Sequence, residues 1–215
     1  MTEKLFTPQD QRVLEELMLH RRDVRGNNFL DTPVDDANIE QILSAAVLAP
    51  SVGFSQPWEF VVIRDEATKQ RVHDSFQIEN KKAESEFSED RQGLYKQLKL
   101  DGILEAPVNI AVFYKPSDGP VLGQTSMNEV GEYSVVCAIQ NMWLMARAMN
   151  IGLGWVSILD PSKVKRILGS PEENKLIGYL CLGYVKEFYT SPELERLNWE
   201  KRKQLASSIY KDSYK

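Results

Sequence analysis

Apolar residues recur at helical spacing in three stretches of the chain, with short β-type runs between them. Leu14, Leu17 and Met18 follow Thr7-Pro8, which predicts a helix with Thr7 as N-cap and Pro8 in the first turn. Ile39, Ile42, Leu43, Ala46 and Val47 define a second helix, capped by Asp35 or Asp36 and ended by Pro50. From Asn128 to Asn150 the pattern changes. Val130, Tyr133, Cys137, Ala138, Leu144, Met145 and Ala148 keep the spacing, while Val135, Val136, Ile139, Met142 and Trp143 fill much of the rest. A helix apolar nearly all round is buried nearly all round. In a chain of 215 residues this reads as a central helix shared with a second subunit.

Residues 59–63, 108–114, 152–159 and 177–185 are rich in β-formers and read as strands, with a short helix at 161–168. The stretch 66–101 is helix-like and heavily charged, with Phe76, Ala83, Phe87, Leu94 and Leu98 as a thin apolar stripe. It is either a solvated helical excursion or a lid whose stripe closes over a pocket. No linker rich in Pro, Gly or Ser divides the chain and no repeat appears. The expectation is one domain over residues 1–215, with a charged helical lid at about 76–101. A C-terminal extension from about 190, carrying Leu194, Leu197 and Trp199, docks on the body or embraces a partner.

Composition narrows the partners. The chain is 42% hydrophobic and 27% charged, ordinary for a globular protein, and its net charge of -5 gives no overall field for nucleic acid or an anionic membrane. No apolar run approaches the ~20 residues of a bilayer span, and Met1 to Thr7 leads into no apolar signal segment. Cys137 and Cys181 lie in apolar segments without CxxC spacing, and with only His20 and His73 beside them no metal centre is expected. They read as buried thiols in a reducing, cytoplasmic setting.

Candidate chemistry concentrates at Arg21-Arg22-Asp23-Val24-Arg25. Guanidinium forks match phosphate oxygens, although a solvated run with internal ion pairs has the same composition. In an extended segment Arg21, Asp23 and Arg25 share a face, placing one acid between two fixed positive charges. Ala49-Pro50-Ser51-Val52-Gly53-Phe54-Ser55-Gln56-Pro57-Trp58 is a turn-rich bridge. Its small residues allow close approach of a flat ligand, with Ser51 and Gln56 as donors, or it is simply a tight connection. Ser157, between Val156 and Ile158, is a hydrogen-bonded core serine or faces a ligand; no GxSxG elbow makes it a nucleophile, and Gly152-Leu153-Gly154 is no dinucleotide fingerprint.

Together RRDVR (21–25), APSVGFSQPW (49–58), LKLDGI (98–103), YSVVCAIQNMWLMARA (133–148), GLGWVSIL (152–159) and YLCLGYV (179–185) resemble the nitroreductase family of FMN-binding proteins, in its BluB branch. The resemblance covers nearly the whole chain in order. It implies an α+β fold with a mixed sheet sandwiched by helices, and an intertwined homodimer with two FMN sites at the subunit interface. It implies that Arg21, Arg22 and Arg25, with Asp23 and Val24, hold the phosphate and ribityl chain. Pro50, Ser51, Val52 and Gln56 would contact the isoalloxazine, partly from the other protomer. Leu100, Val156 and Ser157 complete the site, and Arg202 supplies a C-terminal basic group.

The family's arginine motif usually has a small residue where this chain has Asp23. For this branch the resemblance implies oxygen-dependent fragmentation of reduced FMN, consumed as substrate with dioxygen, to 5,6-dimethylbenzimidazole and erythrose 4-phosphate. Asp23 would be the acid/base and Ser157 its assistant, with NAD(P)H acting only through a separate flavin reductase. The alternatives are a conventional NAD(P)H-dependent FMN nitroreductase or flavin reductase, and a flavin-binding module without turnover.

Overall fold

The computed structural model describes residues 3–214. In chain order the elements are α1 (Pro8–His20), α2 (Asp36–Ala46), β1 (Trp58–Ile63), α3 (Glu66–Ser85), α4 (Glu89–Tyr95), β2 (Val108–Tyr114), α5 (Val130–Ala148), β3 (Gly152–Val156), α6 (Pro161–Leu168), β4 (Lys175–Gly183) and α7 (Glu193–Arg196). The strands form a sheet in the order β1-β2-β4-β3. Every pairing among these four is antiparallel. The parallel component that a mixed sheet needs is confined to an isolated bridge between Asp23 and Leu153.

Period-two alternation in the central strands builds two cores. Ile110, Val112, Leu180 and Leu182 face Ile42, Ala46, Ile139 and Met142 of α2 and α5. Their neighbours Ala111, Phe113, Tyr179 and Cys181 face Val72, Phe76 and Val164 of α3 and α6. The sheet is therefore covered on both faces by helices, the α+β arrangement expected.

Local chemistry sets several element boundaries. Thr7 and Asp10 form a reciprocal capping box at the start of α1, with Pro8 in its first turn. Asp160 accepts from the main-chain N–H of Ser162 and Lys163 and caps α6. β3 stops at Val156 instead of running to residue 159, and a turn in which Leu159 N–H donates to the Ser157 carbonyl leads into that cap. α2 starts after Asp35, whose side chain makes no cap hydrogen bond, and ends at Ala46, ahead of Pro50.

The charged excursion is two helices, α3 and α4. Phe87 and Tyr95 pack on Trp199 of the tail, with ring centroids 5.2 and 6.2 Å away, and Arg91 lies over the same indole at 4.4 Å. The excursion and the tail are thus joined by an aromatic cluster.

α5 departs from the all-round burial its composition predicts. Ser134, Val135, Ala138, Ile139 and Met142 are buried, but Tyr133 is 52% exposed, Val136 40%, and Cys137 is exposed beside them. Cys181 is the buried thiol of the two. Within this chain α5 has a sheet on one side only, which leaves the other flank open. Among the described residues no helix is long and apolar enough to cross a membrane, and no group of three His, Cys, Asp or Glu is placed to hold a metal.

Candidate active site

Residues 21–25 are extended and add a short parallel rung to the outer edge of β3. Val24 N–H donates to the Leu153 carbonyl at 3.1 Å. The close approach depends on Gly154, where a Cβ would stand 2.0 Å from the Val24 carbonyl oxygen. Alternation then sorts the side chains: Arg22 and Val24 turn inward, at 8% and 2% exposure, while Arg21, Asp23 and Arg25 share the more open face.

The three arginines have different environments. Arg22 donates through Nε to the Tyr189 carbonyl (2.9 Å), through Nη2 to Thr190 (2.6 Å), and through Nη1 to Leu19 and Arg21 (2.6 and 2.7 Å). Most of its five N–H groups are thereby committed to main chain, and its first task is to tie the tail to the arginine strand. Arg25 pairs with Asp23 and donates to the Leu100 carbonyl at 3.0 Å. Arg21 lies over the Trp143 ring at 4.7 Å, and its guanidinium has no hydrogen-bond or ion-pair partner among the described residues.

Positive charge accumulates here. Burial lowers the pKa of Arg22, and Arg21, Arg202 and Arg147 push it down further. Arg202 itself is exposed.

Asp23 accepts from Trp155 N–H at 2.9 Å through Oδ1, and pairs with Arg25 through Oδ2. Burial raises its pKa, and that effect outweighs the opposing pull of Arg25, the Trp155 N–H and Arg21. The carboxylate therefore binds a proton more readily than an ordinary aspartate, even beside a guanidinium.

The loop 50–56 is built differently. Gly53, Phe54 and Gln56 all take positive φ, and a Cβ on Gly53 would come within 2.7 Å of the Leu122 carbonyl. Val52 N–H donates to Ser134 Oγ at 3.1 Å, and Ser51 Oγ accepts from Gln56 N–H at 3.1 Å. Pro50 and the Gln56 side chain are exposed, and Phe54 is 81% exposed.

This loop sits on the first turns of α5, at Ser134. The arginine strand sits on the last turns, where Trp143 Nε1 donates to the Arg22 carbonyl at 3.1 Å and Arg147 Nε to His20 at 3.0 Å. Ser134 and Trp143 are roughly 14 Å apart along the helix axis. One chain thus holds the two halves of the expected site at opposite ends of α5 and does not bring them together.

Of the remaining expected residues, Val156 is buried at the end of β3, and Leu100 reaches the site through its carbonyl. Ser157 lies just past β3 and is exposed, with no side-chain hydrogen bond among the described residues. It is not a core serine. Sequence reasoning missed Gly154, Trp155, Trp143 and Glu193, which lines the recess beside Asp23 and Arg25. The Gly152-Leu153-Gly154 spacing was a signal for the first of these; Glu193, in a charged tail, offered none.

The chain belongs to the nitroreductase family, whose sequence pattern matches residues 18–184. More closely, it is 44% identical over 204 residues to the 5,6-dimethylbenzimidazole synthase of Rhodospirillum rubrum, spanning 94% of this chain and 96% of that protein. Among solved structures, a BluB-like flavoprotein from Clostridium difficile 630 superposes with a TM-score of 0.70 at 21% identity, over 93% of this chain and 99% of that one. Iodotyrosine deiodinase bound to FMN and 3-iodo-L-tyrosine superposes with a TM-score of 0.73 at 20% identity, over 93% and 98%. At these identities the two structures establish the fold.

Proposed function

We propose that the chain is a 5,6-dimethylbenzimidazole synthase, which fragments reduced FMN with dioxygen to 5,6-dimethylbenzimidazole, the lower ligand of cobalamin, and erythrose 4-phosphate. The observation that carries this reading is Asp23, a proton-binding carboxylate in the arginine strand where ordinary family members have a small residue. Its 44% identity to the Rhodospirillum rubrum enzyme over nearly the full length supports it.

The residues fit a phosphorylated flavin. Arg21 has donors to spare, and an anion would relieve the mutual repulsion of Arg21, Arg22, Arg147 and Arg202. Arg21 is therefore assigned the direct phosphate contact. Arg22 holds the strand and tail in place, and Arg202 adds long-range attraction. Bound reduced FMN supplies the electrons for reaction with dioxygen.

Asp23 takes up and returns protons as general acid and base, with Trp155 N–H and Arg25 fixing its two oxygens. Ser157, exposed beyond β3, offers a hydroxyl to the bound ring or to oxygen. The α3–α4 excursion closes over the site and excludes water, and its closure leaves the supply of electrons to a separate flavin reductase.

The site is completed by a homodimer. A second copy would cover the open flank of α5 at Tyr133, Val136 and Cys137, and would bring its own Pro50–Ser51–Val52 loop and Gln56 against the arginine strand of the first. Isologous pairing makes two such sites.

Incubating the protein with chemically reduced FMN in air, with chromatography of the products, tests the reading. Appearance of the benzimidazole is expected. Reoxidation to intact FMN alone would sink it, and NADPH oxidation coupled to a nitroarene would favour a conventional nitroreductase.

The division of labour among the arginines predicts two different phenotypes. Arg22→Met is expected to cost about 2 kcal/mol of stability, lowering Tm by roughly 4–8 °C for a chain this size. Arg21→Met should leave Tm within about 2 °C but weaken FMN binding by about tenfold, the scale of one charge-assisted hydrogen bond. Calorimetry and flavin fluorescence titration read the two effects.

A further inference from the structure

The tail beyond the family-matched segment is fixed at two points. Arg22 holds the carbonyls of Tyr189 and Thr190, and Trp199 is packed against Phe87 and Tyr95. Between these anchors Arg196 lies over the Tyr189 ring at 4.0 Å. This route sets Glu193, the first residue of α7, into the wall of the recess that Asp23 and Arg25 also line. Glu193 is only partly exposed, and its carboxylate has no hydrogen bond or ion pair of its own among the described residues. A partly buried acid without a bonded partner is an expensive thing to keep. Here it lines the same recess as Arg25, a guanidinium already paired to another acid.

We propose that Glu193 is a positioning residue for Asp23: the two carboxylates share Arg25 as a common counter-ion and titrate as one unit, so that Glu193 keeps a proton available at Asp23. Asp23 and Glu193 line one recess with Glu187, together with Arg22, Arg25 and Lys99, and a proton on either acid of the pair relieves its repulsion of the other. Burial raises the pKa of Glu193; Arg196 and Arg25 oppose it, and the charge of Asp23 raises it again.

Besides Arg25, Arg21 favours the ionised form of Asp23 and Arg196 that of Glu193. Arg21 stands on the same strand as Asp23, Lys99 and Glu187 line the recess, and Trp155 N–H bonds Asp23 directly. Beneath them the Cys181 thiol is held neutral by burial.

The catalytic consequence rests on the reading of Asp23 as acid/base; the coupling itself does not. It is tested on the full chain without flavin, carrying 13C-labelled Asp and Glu carboxyls, by NMR titration of the wild type and of Asp23→Asn, Glu193→Gln and Glu200→Gln. Glu193→Gln is expected to lower the Asp23 midpoint by about one pH unit, tenfold in proton affinity. Asp23→Asn should lower the Glu193 midpoint by a similar amount, because coupling is reciprocal, and Glu200→Gln should move neither.

Midpoints that stay within about 0.3 unit in both directions would overturn the proposal. In the flavin-loaded enzyme Glu193→Gln should shift the pH profile of product formation to lower pH. Coupling present with a fully active Asp23→Asn enzyme would instead leave Glu193 in place and remove the acid/base role of Asp23.

Discussion

Replacing Asp23 by asparagine is expected to lower benzimidazole formation from reduced FMN by about 10²–10⁴-fold, the range that a positioned acid/base contributes, while flavin still binds. Asparagine preserves the shape and can still accept from Trp155 N–H through Oδ1. It loses the proton that the site has been built to hold, and the charge that pairs Arg25.

Stability distinguishes this from unfolding. Because the pKa of Asp23 is raised in the folded chain, its favourable contribution is complete below the ordinary aspartate value of about 3.9 and is lost as pH rises through the raised value. The amide variant should lack that decline, so its Tm should fall less between pH 4 and 7 than that of the wild type. Product chromatography beside thermal melts at several pH values checks both halves, and undiminished product would remove Asp23 from the mechanism.

Gly154→Ala should have the largest effect on the fold around the site. A methyl carbon 2.0 Å from the Val24 carbonyl oxygen cannot be accommodated by a side-chain shift, since the obstacle is main chain. The arginine strand must move off β3, losing the Val24–Leu153 hydrogen bond and the Asp23–Trp155 contact together. A cost of about 4 kcal/mol, at the upper end for a single substitution, corresponds to a Tm lower by roughly 8–16 °C. FMN binding should weaken in the same variant, because Arg21 moves with the strand. Calorimetry and flavin titration measure the two losses; a variant with wild-type Tm would show that the strand has a second way to dock.

The boundaries that were legible in the sequence are those set by neighbours in the chain. Thr7-Pro8 marks α1, residues 108–114 mark β2 and 161–168 mark α6, because caps, prolines and β-formers act within a few residues. β-propensity carries β3 on to residue 159 because it does not register the turn between Ser157 and Leu159. The alternation of residues 21–25 was also readable, and it already separated Arg22 from Arg21 and Arg25.

What could not be read is where Arg22 points. Its partners Tyr189 and Thr190 lie on the far side of the sequence, and no local pattern encodes that pairing. The same distance hid Glu193 and the rings of Phe87 and Tyr95 on which Trp199 docks. Cys137 was misread as buried because composition reports the apolar character of α5, not which part of it this chain covers by itself.

The separation of the Pro50 loop and the arginine strand at the two ends of α5 has a genetic corollary. In the proposed dimer each active site draws its halves from different polypeptides, so two alleles that are each null, one altered at Asp23 and one in the loop, assemble mixed dimers in which one site contains two sound halves. Such alleles should complement one another in the same cell, whereas two alleles altered in the same half should not.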